Sequence, residues 1–289
     1  MPSDQRPPST GRVSGWQPGA GPSLEEAAEL LATRELVIEG RLPWSSNLTF
    51  LVTLEGTGGE WARDDEPDGV DASGSVASGD AAVADDLVPG PGPVQAVYKP
   101  HRGEQSLWDF PDGLYRREVA AHRLSEALGW DVVPPTVVRE DAPFGPGSLQ
   151  LFIESDYEQH YFTLLEEGGR EDELQIFCAF DVVANNADRK SGHVLCGSDG
   201  RLWGIDHGLC FHAHHKLRTV IWDFAGEEVP DHVVVDLERF VAAGLPADLE
   251  ELLSGAEAEA VLERAAYLAE TGVFPEPVGD RPPYPWPLV

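Results

Sequence analysis

Positive charge is what this chain has least of. Its 289 residues hold 20 Lys and Arg against 51 Asp and Glu, a formal charge of −31. Lysine occurs only at Lys99, Lys190 and Lys216. This scarcity excludes a large basic face, and with it most ways of gripping a nucleic-acid backbone or an anionic lipid surface. No run approaches the ~18 apolar residues of a membrane span. The N-terminal residues, rich in Pro, Gly and Ser, lack the apolar core of a secretory signal. Cysteine is sparse and odd in number (Cys178, Cys196, Cys210) with no Cys-x-x-Cys, so no disulfide framework is expected. A soluble cytoplasmic protein follows, with no nucleic acid among its partners and no stable membrane anchor. Apolar residues still make up 42% of the chain, enough for a real core.

The charge is unevenly placed. Residues 57–93 carry nine acids and one Arg, 154–174 eight and one, and 246–289 nine and two. Residues 94–123 and 188–218 run the other way, at +1 and +2, and hold all three lysines. A preference for Arg over Lys would scatter three lysines this way by chance. A need to hold an anion there would do so too.

Hydrophobic period and turn chemistry divide the chain into four parts. Residues 1–22 read as a disordered tail. In 23–154, Ser23-Leu24-Glu25-Glu26 matches a capping box and opens a helix to about Glu35. Strands are expected at Leu36–Leu42, Asn47–Leu54, Val94–Lys99, Val132–Val138 and Ser148–Ile153, and a helix from Asp112 or Gly113 to Leu128. The aperiodic stretch 55–93 reads as an acidic, disordered insertion. In 155–275, a buried helix at Glu171–Val183 precedes the polar loop Asn185–Gly192. A hairpin of His193–Cys196 and Leu202–Ile205 follows, then helices near 231–243, 247–254 and 256–270. Residues 276–289 form a Pro-rich tail. A β-rich first half joined near Ile153–Tyr157 to a helical second half predicts an α+β, two-lobed fold.

Two carboxylates mark the hairpin. Asp188, in Asn185-Asn186-Ala187-Asp188-Arg189-Lys190, lies just before its first strand, and Asp206, in Ile205-Asp206-His207-Gly208, just after its second. Antiparallel strands bring both to one end, where one could orient an acceptor hydroxyl and the other hold Mg²⁺ on nucleotide phosphates. Aspartates that only cap turns fit the same segment equally well. The first half adds Lys99 on a strand and Glu118 on the next helix, the pairing by which a kinase N-lobe aims a cation at phosphates. Ser45, Ser46 and Asn47, in a turn between strands, offer N–H groups and hydroxyls to phosphate oxygens.

Taken in order, these elements resemble the protein-kinase-like superfamily. They are most similar to its atypical branch of phosphatidylinositol 3-/4-kinases and HipA-like kinases, and to an uncharacterised bacterial family of phosphatidylinositol 3-/4-kinase-like proteins. The resemblance covers about 36–245 without the insertion. It implies a phosphotransferase that uses ATP with Mg²⁺ or Mn²⁺, and an acceptor that is a protein, a lipid headgroup or a small molecule. Asp188 would be the catalytic-loop Asp, Arg189 a loop-ordering or phosphate neighbour, Lys190 the following position and Asp206 the metal ligand. Lys99 would be the phosphate Lys and Glu118 its partner. Gln150, Phe152 and Ile153 would belong to the hinge along adenine. Lys190 departs from the pattern's His, and His193 stands where the second metal ligand, Asn, is expected. Imidazole suits a hard cation poorly. A single metal, a preference for Mn²⁺, or substitution by Asn185 or Asn186 would each accommodate it. A nucleotide-binding pseudokinase, or AMP transfer on the same scaffold, are the alternatives.

The run His207, Cys210, His212, His214, His215 invites zinc but lacks a second Cys pair or a helical HExxH. A segment facing the acceptor is the better reading, with Lys216 and Arg218 either holding an anionic substrate or simply solvated. Ile221–Phe224 would anchor it to the helical lobe.

Overall fold

Ser23 opens the first helix, α1 (Leu24–Thr33). Its Oγ accepts the Glu26 N–H at 3.2 Å while the Glu26 carboxylate accepts the Ser23 N–H at 2.7 Å. The structure, a computed structural model, describes residues 22–42, 47–56, 93–278 and 282–288. Ser45, Ser46, nearly all of the insertion and the N-terminal tail lie outside them. Strands β1 (Leu36–Arg41), β2 (Phe50–Leu54), β3 (Gln95–Pro100), β4 (Thr136–Arg139) and β5 (Gly147–Leu151) form one antiparallel sheet in the order β1-β2-β3-β5-β4. Gly147 pairs with Pro100, and a Cβ at Gly147 would collide with the Lys99 carbonyl, so the strand bearing Lys99 needs glycine opposite it. α2 (Leu114–Leu128) lies between Gly113 and Gly129, both left-handed.

The second half is α3 (Tyr161–Glu167), α4 (Glu171–Ala184), a hairpin of β6 (Val194–Cys196) and β7 (Leu202–Gly204), then α5 (Asp231–Ala243), α6 (Ala247–Glu250) and α7 (Gly255–Thr271). The fold is therefore α+β with two cores. One gathers the sheet and α1, and the other gathers the helices. Each half lends the other an element. The α2 face Ala120, Ala121, Leu124 and Leu128 belongs to the helical core. The hairpin's period of two sends Leu195 and Trp203 into the sheet core, and Val194, Cys196 and Leu202 into the helical one. No helix among the described residues is long and apolar enough to cross a membrane.

Three expectations change. No element is expected between 158 and 170, yet α3 lies there and buries Tyr161 and Leu164. The acids on either side of Tyr161-x-x-Leu164-Leu165 obscure a short apolar stripe. β4 begins at Thr136 rather than Val132, since Pro134 and Pro135 have no N–H for the ladder. α6 ends at Glu250, four residues early.

Two contacts fasten the periphery. Buried Arg117 on α2 donates to the Cys210 carbonyl at 2.5 Å and pairs with Glu257, which also closes a capping box with Ser254 at the start of α7. Burial pushes the Glu257 carboxyl toward the neutral form, but Arg117 and Ser254 outweigh it and lower the pKa. At the C-terminus, residues 282–288 strap the helical half. The Pro283 carbonyl accepts Thr219 N–H and Trp222 Nε1–H, both at 3.1 Å, and the Leu288 carbonyl accepts Ser191 N–H at 2.8 Å.

Because the Glu257 pKa is lowered on folding, its ion pair stabilises the fold fully above the ordinary value of 4.5, and that gain fades as pH falls through the lowered one. Urea unfolding of wild type and Glu257→Gln should therefore differ at pH 7, by about 1–3 kcal/mol, and converge in acid. Truncation after residue 281 should speed hydrogen exchange at Ser191 and Thr219 while leaving the α2 amides unchanged.

Candidate active site

Alternation along β3 buries Tyr98 in the sheet core and turns Lys99 to the opposite face, toward α2. Lys99 Nζ meets Glu118 Oε1 at 2.5 Å and Asp206 Oδ1 at 2.9 Å. The other Glu118 oxygen accepts the His207 N–H at 2.9 Å, so one buried carboxylate fixes both the lysine and the backbone after Asp206. Asp206 itself has φ of +61°, a left-handed conformation that a non-glycine residue adopts at a cost.

The loop carrying Asp188 is organised from beneath. Asp181, buried on α4, accepts from Arg189 Nε and Nη2 at 3.0 and 2.9 Å, from Asn186 Nδ2 at 2.9 Å and from the Thr219 hydroxyl at 2.9 Å. Arg189 spends its remaining donors on the His193 and Ile205 carbonyls, each at 3.2 Å, and on His207 Nε2 at 2.8 Å. Asn186 Oδ1 accepts the Asp188 N–H at 3.0 Å. Asp188 is thereby held at the cleft with Oδ2 3.1 Å from Lys190 Nζ.

A cleft of about 140 Å³ opens between the halves, lined by Lys99, Glu118, Asp188 and Asp206 with Asn47, Glu104 and Tyr115. Burial works against the charge on Lys99, but Asp206 and Glu118 outweigh it and raise its pKa. The same lysine is the main reason the Asp206 carboxyl sits far below the usual carboxylate range. Asp188 is shifted upward by burial, against the pull of Lys190 and Arg218. Burial lowers His193 to about 4, so it is a neutral imidazole at pH 7, with Nε2 3.4 Å from Asp206 Oδ2.

The structure thus brings Lys99, Glu118, Asp188, Asp206 and Asn47 to one cleft and sets Lys190 and His193 against its carboxylates. Arg189 is fully buried and does not line the cleft, so its position is that of a loop-ordering residue rather than a phosphate contact. Gln150 turns inward to the Thr136 hydroxyl at 2.9 Å, and Ile153 lies in the sheet core. Phe152 is partly exposed and donates its N–H to the Gln95 carbonyl at 2.9 Å. The histidine run is dispersed: His207 and Cys210 are buried, and His212 packs on Phe110. Among the described residues the metal-ligand side chains that converge are His101, Glu104 and Asp112, outside that run. Each oxygen of Glu104 also accepts a backbone N–H, from Leu114 and Tyr115 at the start of α2. Lys216 is tied to Asp109 at 2.7 Å, whereas exposed Arg218 has no ion pair among the described residues.

Sequence reasoning missed the supporting residues Asp181 and Glu104. Asn185 and Asn186, offered as metal ligands, are engaged elsewhere. Asn186 bonds Asp181 and the Asp188 N–H, and Asn185 bonds the His212 and His214 carbonyls and the Lys216 N–H. Asp181 left a signal, being a carboxylate inside the apolar run Phe177–Val183. A charge in that position requires a partner, and Arg189 is close in sequence.

No family model matches the chain. Solved structures with similarity include the Golgi casein kinase with Mn/ADP bound, at 12% identity and TM-score 0.48 over 86% of this chain and 74% of that one. The Helicobacter pylori proinflammatory kinase CtkA matches at 9% identity and TM-score 0.44, over 84% and 94%. A curated relative, Protein Rv2133c of Mycobacterium tuberculosis, is 40% identical over 232 residues, 67% of this chain and 82% of its own length. Identity of that extent, over most of the relative, means that the chain belongs to the same family as Rv2133c.

Proposed function

We propose that this protein is an atypical kinase that transfers the γ-phosphoryl group of ATP to a hydroxyl acceptor. The observation that carries the reading is Lys99 bridging Glu118 and Asp206 with Asp188 on the same cleft. In this reading 23–154 is the nucleotide-side lobe and 155–275 the acceptor-side lobe. The resemblance to phosphatidylinositol 3-/4-kinase-like proteins gives the same four residues the same roles, and the acceptor stays open among protein, lipid headgroup and small molecule.

Each residue has a task the geometry allows. Lys99, held by Glu118, places a cation at the nucleotide's phosphates. Asp188, with its pKa raised by burial, accepts the acceptor's hydroxyl proton as that oxygen bonds to the γ-phosphorus and the bond to ADP breaks. Glu118 keeps Lys99 and the His207 amide in one frame, so little reorganisation accompanies transfer. Asp206 supplies hard oxygen donors on the cleft, and its side chain is 48% exposed, which fits a divalent Mg²⁺ or Mn²⁺. Such an ion supplies charge neutralisation to the phosphates when bound.

A second reading, a nucleotide binder without turnover, is favoured by one observation. His193 contacts Asp206 where the resemblance calls for an Asn ligand.

Purified protein should bind an ATP analogue in the presence of Mg²⁺ or Mn²⁺ and turn ATP over. Asp188→Asn should lower turnover about 100-fold or more with nucleotide affinity little changed, while Lys99→Met should weaken binding itself. Binding without turnover, indifferent to Asp188, selects the second reading. Absence of nucleotide binding with either metal defeats both.

A further inference from the structure

A second cavity lies on the helical half, between α7 and the segment 215–222, with a volume of about 290 Å³. None of its lining residues lines the cleft described above. Leu217, Trp222, Tyr267, Pro275 and Val278 make its walls largely apolar. Arg264 of α7 also lines it. Its Nε donates to the Val183 carbonyl at 2.8 Å and its Nη1 to the His212 carbonyl at 3.4 Å. Nη2 is buried and has no hydrogen-bond partner.

That unpaired donor stands out chemically. The buried arginines Arg117, Arg139 and Arg189 each have a carboxylate, whereas Arg264 has none among the described residues. Burial lowers Arg264 to about 10, which still leaves it cationic at neutral pH. A buried guanidinium nitrogen without an acceptor carries a desolvation cost that an anion would remove. The rim limits which anion. Glu263 and Glu276 line the same cavity from exposed positions, and each repels a dianion about twice as strongly as a monoanion at the same distance. The volume suits a small molecule, and the walls suit a hydrocarbon body.

We propose that this cavity binds a small apolar monocarboxylic acid, with its carboxylate on Arg264 and its body against Trp222, Leu217 and Tyr267. The site does not depend on the phosphotransferase reading. It adjoins the chemistry, because the carbonyls that Arg264 holds belong to Val183, at the end of α4 just before the Asn185–Lys190 loop, and to His212.

Calorimetric titration of the full chain with octanoate tests this, with octanol, octyl phosphate and a short peptide ending in an apolar residue as comparators. Saturable one-site binding of octanoate is expected, tighter than each comparator. Arg264→Gln should weaken it about 10- to 100-fold. Tyr267→Asp, at an exposed rim position, should weaken it comparably with an unchanged melting temperature, and it carries the test if Arg264→Gln fails to fold. Absence of saturable octanoate binding overturns the proposal, as does undiminished binding by a folded variant. So does preference for octyl phosphate, octanol or the peptide.

Discussion

Arg189 and Asp181 form an ion pair with no exposure to solvent, and the site hangs from it. Taking both charges out of water costs several kcal/mol per ion, so the pair persists only because its hydrogen-bonding capacity is filled. Asp181 accepts from Arg189, Asn186 and Thr219, and Arg189 reaches the His193 and Ile205 carbonyls and His207. Five segments converge there: α4, the Asp188 loop, the entry and exit of the hairpin, and the strand-like stretch at Thr219. The last is tied back to the C-terminal strap through Pro283. Breaking such a pair by removing one partner costs ~3–5 kcal/mol because a bare charge stays behind. A hydrophobic substitute could hold these segments together, but not with the directionality that aims Asp188.

The charge pattern means something different in three dimensions. In the sequence the two lysine-bearing segments are the positive islands of a −31 chain. In the structure Lys99 is shared by Glu118 and Asp206, and Lys190 is paired with Asp188. Exposed Arg218 has no ion pair among the described residues, and its field reaches Asp188. The cleft lining therefore carries four carboxylates, Glu104, Glu118, Asp188 and Asp206, against the single cation Lys99, with Lys190 set behind Asp188, and it is not a cationic pocket. Nucleotide phosphates would meet a net acidic lining inside an acidic body, so a divalent cation would be needed to favour their entry over bulk water.

How much of this was legible depended on whether a residue's role was local or assembled. Most strands and the helices other than α3 followed from apolar period and caps. Ser23 and Glu26 even foretold their reciprocal hydrogen bonds. Lys99, Glu118, Asp188 and Asp206 were legible as an ordered set because each sits at the edge of an element, where topology fixes which end it faces. Arg189 was legible as a charge, but its direction was not: only the packed interior shows that Asp181 draws it inward. The hinge expectation for Gln150 concerns its backbone, while its side chain turns inward to the Thr136 hydroxyl, a direction that only the packed interior shows. The acids that frame α3 mask its apolar residues, since composition outweighs period in so short a helix.

The exchange of elements between the two cores gives the site its rigidity. Glu118 rides on α2, whose apolar face is buried among the helices, while Lys99 rides on the sheet. Asp206 follows a hairpin whose alternate residues are claimed by both cores. A motion separating the halves as independent bodies would have to pull Trp203 from the sheet core or Leu124 from the helical one. Each of those side chains is fully buried, and exposing either would cost about 1.5–3 kcal/mol. Opening to admit a ligand is therefore directed to elements that carry no such shared packing. Among the described lining residues, Asn47 belongs to neither core and is joined to the 105 segment by a hydrogen bond from the Gln105 N–H to its Oδ1.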